Sequence, residues 1–123
     1  MPKSKLALLA ICATLGVYSA AHADVSAGQA VFKSQCAICH SVVAGKNLNG
    51  PSLFGVVGRK AGEEPGFHYS SANKESGLTW DAATLDRYLQ APRVVIPHTL
   101  MSYQGLKDTQ KRADLIDYLT TLH

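Results

Sequence analysis

The sequence is best approached through what is missing from it. No stretch reaches the ~20 apolar residues that a helix needs to cross a bilayer, so no stable membrane insertion is expected. No cluster of Arg and Lys is interleaved with aromatics, which argues against a nucleic-acid partner. No segment alternates apolar and polar residues long enough to suggest a strand, and no internal repeat is present. There are three cysteines and one CxxC pair, so a structural zinc site built from two such pairs lacks half its ligands. There are two methionines, and one of them is the initiator.

What is present divides the 123 residues into two parts. Lys3 and Lys5 precede an apolar stretch from Leu6 to Ala20, and "AHA" at Ala21 to Ala23 has the small-x-small pattern of a cleavage site. This is the anatomy of a secretory leader over residues 1–23, leaving a single domain at 24–123 in an oxidising, periplasmic compartment. Cys12 leaves with the leader, and the formal charge falls from +3 to +1 with the loss of Lys3 and Lys5.

The remaining chain reads as all-α with much irregular backbone. Ser26 and Gln29 have capping-box spacing, so a helix is expected to start at Ser26, with Val31 and Phe32 as its apolar contacts. Gly28 inside that helix costs roughly 1 kcal/mol, and a close helix crossing would explain it. "SANKES" suits one short helix, and Asp81 to Gln90 suits another, capped by Asp81 or Thr79 and ended by Pro92. The last helix is expected from Thr109 to Leu122, with Leu115, Leu119 and Leu122 on one face and Lys111, Arg112, Asp114 and Asp117 on the others.

"QCAICHS", Gln35 to Ser41, carries the chemistry. A disulfide between Cys36 and Cys39 would close a very small loop and stabilise little. A thioredoxin-like redox pair needs a βαβ context, which is missing. C-x-x-C-H is instead the attachment signal of haem c. Residues three apart share a helical face, so each thiol can add to one vinyl group of the ring, and His40 can reach the iron from one side. Met101 is the sole methionine outside the leader and initiator, 61 residues after His40 in a proline-bearing loop. It is the candidate second axial ligand. His68, His98 and His123 are its rivals, and His98 is three residues away.

Beyond this motif, "GQAVFKSQCAICH", "GPSLFGVVGRKAG", "YSSANK", "GLTW", "YLQAPRVVIPHTLM" and "DLIDYL" follow one another in order. On these segments the chain closely resembles class I cytochromes c, of the mitochondrial and bacterial cytochrome c2 types, over nearly all of Ser26 to Leu122. The resemblance implies helices and long loops wrapped around one haem c, attached through two thioethers, with a ring edge near the surface. It implies a monomeric one-electron carrier without bond-making catalysis. Its partners would be transient: a cytochrome bc1 complex, a terminal oxidase, a reductase or a photosynthetic reaction centre.

The resemblance also assigns residues. Gly28 and Phe32 would pack on the last helix near Leu115 and Tyr118. The Pro51 carbonyl would orient His40. Arg59, Tyr69 and Trp80 match propionate-binding positions. Asn73, Tyr88 and Thr99 match a polar network on the methionine side, with the Tyr88 hydroxyl near the Met101 sulfur. Two departures stand out. His98 replaces a glycine common in the family, and a histidine at positive φ carries strain. The edge that family members ring with lysine instead has Gln35, Arg93, Val94, Leu100, Tyr103, Lys107 and Asp108, which predicts a docking face around Arg93, Leu100, Tyr103 and Lys107 that depends less on charge. Two alternative functions compete with the carrier: a haem enzyme acting on peroxide or a small gas after displacement of Met101, and a haem-based sensor or structural module.

Overall fold

The computed structural model describes residues 22–123, so the expected leader lies almost wholly outside the described residues. Five helices follow in order: α1 (Val25–Gln35), α2 (Ser71–Lys74), α3 (Ala82–Gln90), α4 (Pro92–Val95) and α5 (Thr109–Thr120). Among the described residues the sole β pairing is an isolated bridge between Lys60 and Thr79. The all-α expectation holds.

Every helix except α4 begins where a short polar side chain meets its orphan N–H groups. The cap of α1 is Asp24 rather than Ser26: the Asp24 carboxylate accepts hydrogen bonds from the Ser26 and Ala27 amides. A carboxylate two residues ahead is the stronger acceptor at the positive end of a helix, so it outcompetes the capping-box pairing. Ser70 caps α2, Asp81 caps α3 through the Thr84 amide, and Asp108 caps α5 through the Lys111 amide. The chain breaks between α3 and α4 at Ala91, and Pro92 then serves as the first residue of the α4 turn.

The crossing of α1 and α5 sets the frame. Gly28 lies directly on the α5 backbone: a Cβ there would run into the Asp114 carbonyl and come within 2.9 Å of Tyr118 Cβ. The absence of a side chain lets the helices touch, and Phe32 then packs its ring 5.8 Å from that of Tyr118. The Asp24 amide also donates to Asp114 Oδ1 at 2.8 Å, which fixes the start of α1 on α5.

Two charges expected on the outside of α5 are inside. Arg112 is 4% exposed and Asp114 6%. The Arg112 guanidinium donates to Asp86 Oδ1 at 2.8 Å and to the Leu106 and Lys107 carbonyls at 2.9 and 3.0 Å. A buried charge is tolerated when its donors are met in this way. Arg112 thereby ties α3, α5 and the segment leaving the Met101 loop together. Leu122 lies just past the end of α5 and still packs on the core.

Gly28→Ala is expected to destabilise the fold by about 1–3 kcal/mol through overpacking, measured by urea unfolding. An unchanged midpoint would remove the close crossing from this account.

Candidate metal centre

The helices surround a cleft of about 550 Å³ whose lining includes Cys36, Cys39, His40, Pro51, Arg59, Tyr69, Asn73, Trp80, Tyr88, Thr99 and Met101. One cleft thus gathers every residue expected to form the cofactor's surroundings. Leu53, Val56, Leu85, Leu89, Leu115 and Leu119 supply apolar walls.

The first wall is the turn after α1. The Cys39 and His40 amides both donate to the Cys36 carbonyl, at 3.1 and 2.9 Å, which winds Cys36 to His40 into a single turn. Both thiols are free. Burial, aided by the neighbouring Cys39, pushes the Cys36 thiol up to about 11. A reactive redox thiol shifts the opposite way.

His40 Nδ1 lies 2.7 Å from the Pro51 carbonyl oxygen. A carbonyl can only accept, so Nδ1 carries the proton and Nε2 keeps its lone pair. Burial holds the imidazole below its ordinary pKa, against the pull of the Pro51 bond, and the Arg59 charge adds to the lowering. The ring is therefore neutral at pH 7, with a fixed tautomer, as a metal ligand requires. Gly50 leaves room for it: a Cβ there would come within 2.7 Å of Nδ1 and 2.9 Å of Nε2.

A second wall is the loop after α4. Tyr88, buried on α3, shares a 2.9 Å hydrogen bond with the Thr99 hydroxyl. The same hydroxyl accepts a long contact, 3.4 Å, from the Met101 amide. Tyr88 thus acts on the loop through Thr99, and no hydrogen bond joins its hydroxyl to the Met101 sulfur among the described residues. Asn73 also stands apart from this pair, since its buried Oδ1 has no partner. His98 is exposed and has φ 66°, the sole positive-φ residue other than glycine among the described residues.

The third wall holds the polar end. Backbone bonds from Gly58 to Trp80 and from Trp80 to Arg59, each 2.9 Å, set Arg59 beside Trp80. The Arg59 guanidinium donates to Ser52 O, Phe54 O and Glu64 Oε2, at 2.9, 3.3 and 2.6 Å. Its buried Nε has no partner. The Tyr69 hydroxyl accepts from the Glu64 amide at 3.0 Å and keeps its own proton to donate.

The mouth of the cleft is apolar. Ile38 is 85% exposed and Leu100 80%, and both border the opening. The Tyr103 hydroxyl donates to Gln35 Oε1, linking the Met101 side to the cysteine side. Arg93 is exposed, as expected. Lys107 is exposed too, but its ammonium donates to the Gln90 carbonyl at the end of α3, where a cation also complements the helix dipole. Ile38 and Glu64 were missed on the sequence. The position of Ile38 between the cysteines was the available signal for the first.

Two thiols and a neutral imidazole on one turn, a thioether in the same lining and an unmet guanidinium donor fit an anionic, metal-bearing macrocycle. They define the class of covalent haem proteins. The cytochrome c family matches residues 25–123. Cytochrome c2 of Rhodomicrobium vannielii is 48% identical over 124 residues, covering 100% of this chain and 98% of the relative. Cytochrome c2 of Rhodopila globiformis is 47% identical over 104 residues, covering 85% and 98%. Among solved structures, cytochrome cH from Methylobacterium extorquens matches with a TM-score of 0.75 and 45% identity, covering 80% of this chain and 98% of that one. The chain belongs to the cytochrome c family, and its cofactor is covalently attached haem c.

A strained residue three positions before Met101 has a measurable cost. His98→Gly is expected to raise stability by about 1 kcal/mol, the lower part of the range for a non-glycine residue in this conformation. Thermal unfolding of the holoprotein checks it, and a destabilised variant would show that the His98 backbone carries no strain.

Proposed function

We propose that this electron carrier works in the periplasm after removal of residues 1–23, passing single electrons between membrane-bound or soluble redox complexes. Cys36 and Cys39 would carry the two thioether links, and His40 and Met101 would hold the iron. The single observation carrying this reading is that both candidate ligands line one cleft and each is tied to its surroundings: His40 by its bond to the Pro51 carbonyl, and Met101 through its amide contact with Thr99, which pairs with Tyr88. The alignment of the R. vannielii cytochrome c2 over the full chain supports a shared N-terminal segment.

When bound, haem supplies an iron that changes charge by one electron while keeping its ligands. The protein contributes restraint. A ring whose tautomer is set and a loop that is tied down move little between states, so little reorganisation opposes transfer. The apolar walls exclude water from the site. Arg59, Tyr69 and Trp80 lie at the end suited to the propionates, where Arg59 Nε and the Tyr69 proton are available donors.

Electrons enter and leave at the mouth, where Ile38 and Leu100 offer apolar contact and Arg93 a peripheral charge. The docking partners are the redox proteins of a respiratory or photosynthetic chain: a cytochrome bc1 complex on one side, and a terminal oxidase, reductase or reaction centre on the other. With an apolar mouth and a tethered Lys107, encounter is expected to lose less than about tenfold in rate as salt rises through the physiological range. Stopped-flow kinetics with an isolated bc1 complex measures this. A steep, charge-driven decline would contradict the apolar docking face.

Carbon monoxide tests the filled coordination against the enzyme and sensor alternatives. The reduced wild-type protein is expected to bind it negligibly or slowly, and Met101→Ala to bind it rapidly. Rapid binding by the wild type would overturn the carrier reading.

A further inference from the structure

Glu64 belongs to none of the positions that define the haem surroundings, yet it forms the sole side-chain ion pair of Arg59 among the described residues. The pair is short, 2.6 Å, and both side chains are largely buried, at 14% and 9% exposure. The Glu64 backbone amide is fixed in turn by the Tyr69 hydroxyl. Arg59 and Tyr69 both line the cleft. A carboxylate is therefore locked against the cation at the cofactor's polar end.

We propose that Glu64 sets part of the reduction potential, by drawing on the Arg59 charge that would otherwise act on the haem. The inference rests on the carrier reading above. The sign follows from Coulomb's law in a poorly screened site. Oxidised haem is more positive than reduced haem by one charge, so a nearby anion favours the oxidised state. Glu64 contributes that anion and also offsets the guanidinium, whose field favours reduction. These are one and the same field, and it lowers the potential. Arg59 retains its unpartnered Nε for the cofactor, so the ion pair weakens its field without consuming all its donors. Neighbouring Glu63 is exposed and makes no ion pair among the described residues, which provides an internal control of identical formal charge.

The experiment is a mediated redox titration of the purified holoprotein. Glu64→Gln keeps the size and an acceptor for Arg59 while removing the charge. It is expected to raise the equilibrium constant for reduction severalfold, where tenfold corresponds to about 59 mV for one electron. The shift should persist in ~1 M salt, where exposed charges are screened within ~3 Å. Glu63→Gln should give a smaller shift that salt abolishes. Glu64→Asp, which retains the charge, should stay within about twofold of wild type. An unchanged potential in Glu64→Gln overturns the proposal, as does a shift that salt removes. An equal shift in Glu64→Asp also overturns it, because packing rather than charge would then be responsible. The wild-type absorption spectrum separates this outcome from failure of the carrier reading: haem bound and six-coordinate with no Glu64 effect sinks this inference alone.

Discussion

The structure depends on one hydrogen bond, from His40 Nδ1 to the Pro51 carbonyl. It decides which imidazole nitrogen carries the proton, and so which one offers a lone pair to the cleft. Other features serve that orientation. The turn from Cys36 sets the ring on the same wall as the thiols, and Gly50 withholds the side chain that would displace it. The α1–α5 crossing holds this turn in place, because α1 leads directly into it. The loop carrying Met101 is tied more loosely. Its Thr99 hydroxyl joins Tyr88 to the Met101 amide, and Arg112 anchors the chain farther on at Leu106 and Lys107.

Electrostatics is organised around the scarcity of water in the interior. The neutral His40 costs nothing in charge burial, whereas Arg59 and Arg112 do, and each is surrounded by carbonyls and one carboxylate. The two arginines differ in consequence. Arg112 has structural partners in two segments besides its own helix and is absent from the cleft lining. Arg59 stands in the lining with an unmet Nε, so its field is available to the cofactor.

Much of the site was legible in the sequence because covalent chemistry dictates local spacing. Two thiols three residues apart and an adjacent imidazole can be recognised without any tertiary information, and a single available methionine narrows the second ligand. The strain foreseen at His98 is present as a positive φ. The misreadings share a different origin. Arg112 and Asp114 were assigned to solvent because helical periodicity sorts residues by polarity, whereas their burial depends on partners up to 90 positions away, such as the Asp24 amide. Glu64 sits five residues from Arg59 in a glycine-rich loop, where no periodicity predicts which side chains converge. The Tyr88 hydroxyl shares a hydrogen bond with Thr99, and these are two of the three residues that the resemblance groups in a polar network on the methionine side.

The central claim is that His40 and Met101 occupy opposite sides of a single haem iron. The most direct measurement is the absorption spectrum of the purified ferric protein at neutral pH, read for the weak methionine-sulfur-to-iron charge-transfer band. The account predicts that band, together with pigment that remains attached after denaturation and extraction in acidified organic solvent. A spectrum without it, showing a water-ligated or two-imidazole iron, would contradict the account.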